Sequence, residues 1–402
     1  MKILVANIGS STLKCRLIDM SSEKNLAKVL VERVGEKDAH AVWTTRDGGT
    51  REQTLPVATS ADAVALCLRL LTDAGDGVLP GLAAIDAVGF KPVCAKGITG
   101  CREMTDEVLA AMEEFADYIC PMHNGLVVDA VRAFRKAAPG VPLIGLFETF
   151  FFQEWPEYAR IYSIPWDWTQ KYDVRRMMGH GASHYYVNRR VADLVGRNVR
   201  ELNAVQLHLG GSSSLVAVRG GTTIDGTAGF TMNTGIPMSV RSSDMDGFLV
   251  AYLWSRGEGS PRQIVDRMMS ESGLAAISGM GFDMRDLKAA ADRGHERARL
   301  AIDTYVHQAR KYLGSFLAVL GHTDVITFAA GAGESNPWLR SRILEGLGEF
   351  GIVLDEKRNA AAVRTEARIS AEDSRVAVWV VPTDEEIVVA RHAAALLAKP
   401  RS

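Results

Sequence analysis

The chain has 402 residues, 47% of them hydrophobic, and a formal net charge of -2 from 46 basic and 48 acidic residues. That length predicts two domains rather than one core, and the near-neutral balance without a basic block argues against polyanion binding and makes nucleic acid an unexpected partner. Five cysteines without CxxC or Cys/His ligand spacing predict neither a disulfide framework nor a zinc site, while the short first apolar run and the absence of any later membrane span lead to an expected cytoplasmic location.

The opening stretch sets the pattern. Ile3 to Ala6 is an apolar run that reads as a buried strand, Gly9-Ser10-Ser11 as a tight turn, and Leu13 to Ile18 as a second strand. The tip of this hairpin is small and polar: glycine permits close backbone approach, the hydroxyls of Ser10, Ser11 and Thr12 can donate, and Lys14 adds a point charge. It is built either as a phosphate cradle or as an ordinary solvated turn. Strands are then expected over Ala27 to Val34 and His40 to Thr45, and Ser60 is placed to cap a helix from Ala61 to Thr72 with Val64, Leu68 and Leu71 on one face.

Ala84 to Val93 reads as a buried strand that delivers Lys91 near its carboxyl end, where open α/β sheets meet ligands. Helices are expected from Asp106 to Tyr118 and from Asn124 to Ala137, joined through Pro121-Met122-His123. Val141 to Phe147 is a further strand ending in Glu148. The aromatic, proline-containing stretch Phe150 to Trp168 breaks the alternation and marks a crossover between domains. In Gly179-His180-Gly181 the flanking glycines leave the imidazole open to close approach, with a helix expected from about Ser183.

Asn203 to Gly210, the turn Gly210 to Ser214 and the strand after it repeat the design of the amino terminus. Two similar hairpins about two hundred residues apart point to a duplicated domain in which each half supplies a loop to one phosphate. Arg241 lies in a polar loop before a helical stretch from Met245 to Trp254, and Ser260-Pro261 opens another helix. Asp283 and Arg285 are expected in a loop. His295 to Leu320 is a long helix with Tyr305, Ala309, Tyr312 and Phe316 on one face. Asp324 to Ala330 is a strand running into a Gly-rich loop, Gly331 to Ser335, and then a helix amino terminus that suits a nucleotide; no GxxxxGK[ST] occurs. Arg375 to Val381 is the last strand, and Thr383 with Glu386 is expected to form a capping box for the last helix.

These landmarks together resemble the acetate kinase family. NIGSSTLK (7–14) is similar to its signature N-x-G-S-S-S-x-K and MMGHGASHYYV (177–187) to F-H-G-T-S-H-x-Y-V; HLGGSSSLVAV, VRSSD, FDMRD, GAGES and PTDEE follow in the family's order. The resemblance covers essentially the whole chain. It implies an α/β fold of duplicated ribonuclease H-like, actin-like ATPase domains with a cleft between them: residues 1–150 plus 383–402 on the acyl substrate and magnesium side, and 151–382 on the nucleotide side. It implies reversible, magnesium-dependent phosphorylation of a short-chain carboxylate by ATP in a homodimer.

By position, the resemblance assigns Asn7 and Glu385 to magnesium. Lys14, His208, Leu209, Gly210, Gly211, Ser212, Asp283, Met284, Arg285, Gly331, Ala332, Gly333, Glu334 and Ser335 would hold nucleotide. Glu148, His180, Arg241 and His123 would act on the transferred group, and Lys91, Val93, Met122, Gly179 and Met232 would meet the acyl substrate. The chemistry suits these types, since a phosphoryl in flight needs cations and donors around its oxygens while a carboxylate acceptor needs no strong base. The chain departs from the family at Lys91, where arginine is usual, at Glu148 in place of aspartate, at Gly211 in place of asparagine, and at Met122, Gly179 and Met232 in place of leucine, phenylalanine and proline. These departures keep two other readings open: a kinase of a bulkier or more polar acid, and a nucleotide-binding homologue without turnover.

Overall fold

The computed structural model describes residues 1–116, 119, 120, 123–177 and 179–399. The chain divides into two compact units, Met1–Gln153 with Asp384–Ser402, and Glu154–Thr383.

The first unit carries β1 (Lys2–Ile8), β2 (Thr12–Asp19), β3 (Lys24–Glu32), β4 (Ala39–Thr44), β5 (Thr50–Leu55), β6 (Ala87–Phe90), β7 (Cys101–Glu103) and β8 (Leu143–Leu146) in the order β5-β4-β3-β2-β1-β6-β8-β7. The second carries β9 (Asn203–Leu209), β10 (Ser213–Arg219), β11 (Thr222–Gly226), β12 (Val325–Ala329), β13 (Ala367–Arg368) and β14 (Ala377–Val380) in the order β11-β10-β9-β12-β14-β13. The centres of the two sheets correspond. In each, an antiparallel hairpin, β1–β2 or β9–β10, is extended on one side by an antiparallel strand and on the other by two parallel ones. This is the ribonuclease H-like strand order, present twice.

Alternation along the strands separates the layers. In the first unit Leu4, Ala6, Leu13, Cys15 and Leu17 face the helices Ser60–Thr72 and Asn124–Ala137, meeting Val64, Leu68, Leu71, Val131 and Phe134. The opposite face takes the C-terminal helix Glu385–Leu397, which buries Ile387, Val388, Val389, Ala390 and Ala393. Gly89 makes that approach possible: a Cβ there would stand 2.8 Å from Val389 Cγ1. In the second unit Val205, Leu207 and Leu209 pack with Tyr305, Ala309 and Phe316 of the long helix Glu296–Leu320. Their alternates Gln206 and His208 face the helix Gly181–Leu194.

Several local expectations are corrected. The first helix is capped by Thr59, not Ser60, in a capping box with Asp62. The strand expected over Ala84 to Val93 is only Ala87–Phe90, because Pro92 has no N–H for a ladder. The strand expected over Val141 to Phe147 is Leu143–Leu146, and Glu148 opens a short 3-10 helix, Glu148–Phe152. The helix from Asp106 ends at Ala116; its expected end at Tyr118 lies outside the described residues. The helix placed from Met245 runs Phe248–Ser255. Asp283 is no loop residue: its carboxylate caps the helix Met284–Asp292, whose first turn holds Arg285. Gly331 to Ser335 is helical rather than a loop, within Ala330–Ser335. The last helix is capped by Asp384 through the Ile387 N–H at 3.0 Å, while the Thr383 hydroxyl is buried without a partner.

Candidate active site

In the first unit β1 and β2 are joined by a turn closed from Gly9 N–H to Thr12 O at 2.9 Å. Register sets Asn7 directly opposite Lys14 and Val5 opposite Arg16, so Asn7, Lys14 and Arg16 share the sheet face that the C-terminal helix covers. Arg16 grips the capping residue Asp384 through its two terminal guanidinium nitrogens, at 2.6 and 2.9 Å. That fork fixes the first turn of the helix, and with it Glu385.

Glu385 meets Lys91, and Lys91 Nζ also lies 3.0 Å from Glu148 Oε1. The Glu148 carboxylate is 5% exposed, and its backbone N–H donates to Pro92 O at 2.9 Å. Three of the sequence-predicted residues thus form one cluster of a cation between two carboxylates. Burial alone would draw the Lys91 ammonium down, but Glu148 and Glu385 hold it well above the ordinary lysine range. An amide oxygen and two carboxylates on this face are hard oxygen donors of the kind magnesium takes. Among the described residues no three His, Cys, Asp or Glu side chains gather as a ready cage; the donor set fits an ion held by few protein groups and completed by phosphates and water. Val93 follows Lys91 in the same segment, His123 precedes the helix Asn124–Ala137, and Met122 lies outside the described residues.

The second unit assembles the rest. Ser213 Oγ ties the tip of the β9–β10 hairpin together, bonding Gly210 O at 3.1 Å and Tyr305 Oη at 3.0 Å. The Arg241 loop is attached to that tip, since Ser239 N–H donates to Gly211 O at 3.0 Å. The Ser272, Leu274 and Ala275 N–H groups bind the carbonyls of Val240, Met238 and Ser239 at 2.8 to 3.0 Å. Gly273, at φ +66°, lets this backbone-on-backbone packing occur. A groove of about 260 Å³ is lined by Gly210, Gly211, Asp283, Arg285, Gly331 and Ser335, among others. Here the Arg285 guanidinium holds the Asp283 carboxyl down at about 2. Gly210 and Gly211, Asp283 to Arg285, and Gly331, Ala332 and Ser335 therefore line one groove from chain positions far apart.

His180 caps the helix Gly181–Leu194 in a left-handed conformation, φ 61°, and Ala330, beside the same hairpin, has φ 64°. Such backbone costs about 1–3 kcal/mol per residue and gathers at functional sites. The His180 ring stacks on His208 at 4.1 Å between centroids. Its Nδ1 lies 2.8 Å from Ser214 Oγ, which in turn lies 2.8 Å from His184 Nε2. Gly179 is covered by Met232: a Cβ on Gly179 would collide with the Met232 sulfur.

Sequence reasoning passed over Arg16, Asp384, Ser214, His184 and Arg340. Arg16 was findable, being two residues from Lys14 on one strand face. Arg340 is fully buried and donates to the carbonyls of Gly333, Glu334, Asn359 and Ala362 at 2.7 to 3.2 Å. No local pattern marks it.

Comparison with known proteins matches the sequence model of the acetokinase family to residues 2–391. The chain is 40% identical over 401 residues to the acetate kinase of Dictyoglomus thermophilum, covering 99% of this chain and 100% of that one. Among solved structures, Porphyromonas gingivalis acetate kinase is similar with a TM-score of 0.89 at 33% identity, over 98% of this chain and 99% of that one. A propionate kinase from Francisella tularensis has a TM-score of 0.89 at 27% identity, over 97% and 98%.

Proposed function

Because this chain belongs to the acetokinase family, we propose that it transfers the γ-phosphoryl group of ATP reversibly to a short-chain carboxylate of the acetate or propionate class. The observation that carries this reading is the family match along residues 2–391, which spans every motif named above. A carboxylate oxygen attacks the γ-phosphorus in line, the bond to the β,γ-bridging oxygen breaks, and ADP leaves. The acceptor is already an anion at neutral pH, so no proton need be removed.

The residues divide the work. Lys91 pairs with the substrate carboxylate, exchanging one of its own carboxylate partners for it, and Val93, Met122, Gly179 and Met232 surround the acyl chain. His208 to Ser212, Asp283 to Arg285, Gly331 to Ser335 and Lys14 hold the nucleotide. His180 and Arg241 place positive charge on the oxygens of the moving group, assisted by His123, while Glu148 acts from the acceptor side by holding Lys91. Asn7 and Glu385 would hold magnesium, which when bound neutralises phosphate charge. The Met232 sulfur over Gly179 supports a short acyl chain, because it fills the space that the missing phenylalanine ring would otherwise leave. The proposed assembly is a homodimer in the cytoplasm. Among the described residues no helix is long and apolar enough to cross a membrane.

The test is a carboxylate panel with ATP and magnesium, the acyl phosphate being trapped by hydroxylamine. Acetate or propionate is expected to give the highest kcat/KM. ATP binding without acyl hydroxamate from any acid would leave a nucleotide-binding homologue instead. His180→Ala and Arg241→Ala are each expected to lower kcat by about 100-fold or more while nucleotide affinity stays close to that of the parent.

A further inference from the structure

The helix Gly181–Leu194 lays His184 and Asn188 against Gln206 and Ser214 of β9 and β10, and all four side chains are buried. Polar groups so enclosed must satisfy one another, which gives the hydrogen bonds a direction. Gln206 donates its amide N–H to Asn188 Oδ1 at 3.2 Å, turning its own Oε1 toward His184 Nδ1 at 3.0 Å. A carbonyl oxygen only accepts, so His184 carries its proton on Nδ1 and offers a lone pair at Nε2. That lone pair accepts the Ser214 hydroxyl proton. Ser214 has no second proton, so its oxygen accepts from His180 Nδ1.

We propose that Ser214, His184 and Gln206 are positioning residues that keep a proton on Nδ1 of His180 in both its neutral and its cationic form. Proton exchange is thereby confined to Nε2, the edge with which the ring meets a phosphoryl oxygen. The stack on His208, whose Nδ1 is paired with Ser183 Oγ at 2.7 Å, sets the plane of the ring, and Ser214 sets its edge. A phosphoryl oxygen needs a donor, so a proton acquired at Nε2 goes where the charge develops, and the ring has no second orientation in which to lose it. This rests on the phosphoryl transfer proposed above, but the arrangement of protons can be read without turnover.

The experiment uses the full chain labelled with 15N-histidine, whose multiple-bond proton–nitrogen spectra report which ring nitrogen carries the proton. His180→Asn identifies the His180 signals by their loss. Neutral His180 is expected as the Nδ1–H tautomer; an Nε2–H tautomer overturns the proposal even if carboxylates are phosphorylated. Conversely, an Nδ1–H tautomer in a chain that phosphorylates no acid would sink the functional reading alone. Ser214→Ala is expected to lower kcat about 10- to 100-fold, the range seen when the partner that orients a metal-bound histidine is removed. KM for ATP and carboxylate should move less than about threefold, and Ser214→Thr, which restores the hydroxyl, should recover most of the loss. Unchanged kcat, or a loss confined to KM, overturns it. Where Ser214→Ala does not fold, the spectrum of the native chain decides by itself, and neutral His180 found as the Nε2–H tautomer counts against the relay.

Discussion

Lys91 owes its charge to its neighbours. Burial works against an ammonium, and two carboxylates outweigh it, so the folded-state value is raised above the ordinary one. For a base held this way, the ion pair stabilises fully below the ordinary lysine value and is lost only as pH rises beyond the raised one. The native chain should therefore show no Lys91-dependent change in Tm between about pH 6 and 9. Lys91→Met leaves Glu148 and Glu385 facing each other without their cation. It is expected to cost about 3 kcal/mol near neutral pH, less as pH falls and a proton replaces the lost cation; thermal melts of both proteins across pH check this. Gly179 and Met232 make a second pair. Gly179→Ala should lower stability or turnover on its own, and Met232→Ala in the same chain should relieve it, with a coupling of about 0.5–3 kcal/mol in a double-mutant cycle. Independent, additive effects would mean that the sulfur does not fill that space. Which residue types stand here was readable in the sequence; that Met232 compensates for Gly179 was not, because the two lie on segments brought together only by the fold.

Among the elements, the helix Ala330–Ser335 shows what a remote partner does. Its sequence, AGAGES, has the composition of a loop, yet it is helical. Arg340 supplies the reason, binding the Gly333 and Glu334 carbonyls at its end and those of Asn359 and Ala362 at the end of the helix Glu356–Ala361. Carbonyls at helix ends lack intrahelical donors, and a cation there also meets the negative end of each dipole. Burial draws the guanidinium down to about 10, so it is still charged at neutral pH. Arg340→Lys, with a single nitrogen in place of the planar fork, is expected to cost about 3–5 kcal/mol and to weaken ATP binding, as Tm and nucleotide titration would show. Hairpins and long helices were legible because their signals are local periodicities. The displaced caps at Thr59 and Asp384 were not, because adjacent residues of similar chemistry compete and only geometry chooses.

At the scale of the whole molecule, each unit repeats one strand order, and the resemblance between the two hairpins had already disclosed it. The helix read from the sequence over Met245 to Trp254 serves neither core. Phe248–Ser255 is strongly apolar and has no buried residue; Phe248 is 83% exposed, with Tyr252 and Trp254 also exposed. A surface of this kind marks an interface, and it supports the proposed pairing of two copies. Sedimentation of the native chain should give a dimer, and Phe248→Arg with Tyr252→Arg should shift it to monomer; a native monomer at micromolar concentration would remove that proposal.

The helix Glu385–Leu397 completes a sheet whose first strand is Lys2–Ile8, and Arg16 holds it there through Asp384. During synthesis the segment from Glu154 to Thr383 emerges uninterrupted and is free to fold while the chain is still growing, whereas the earlier-made sheet must wait with one face bare for its final piece. Glu385 is delivered only after the whole of the second unit, so a polypeptide that stops short of it lacks a carboxylate of the Lys91 cluster and leaves the sheet face around Val5 and Gly89 uncovered.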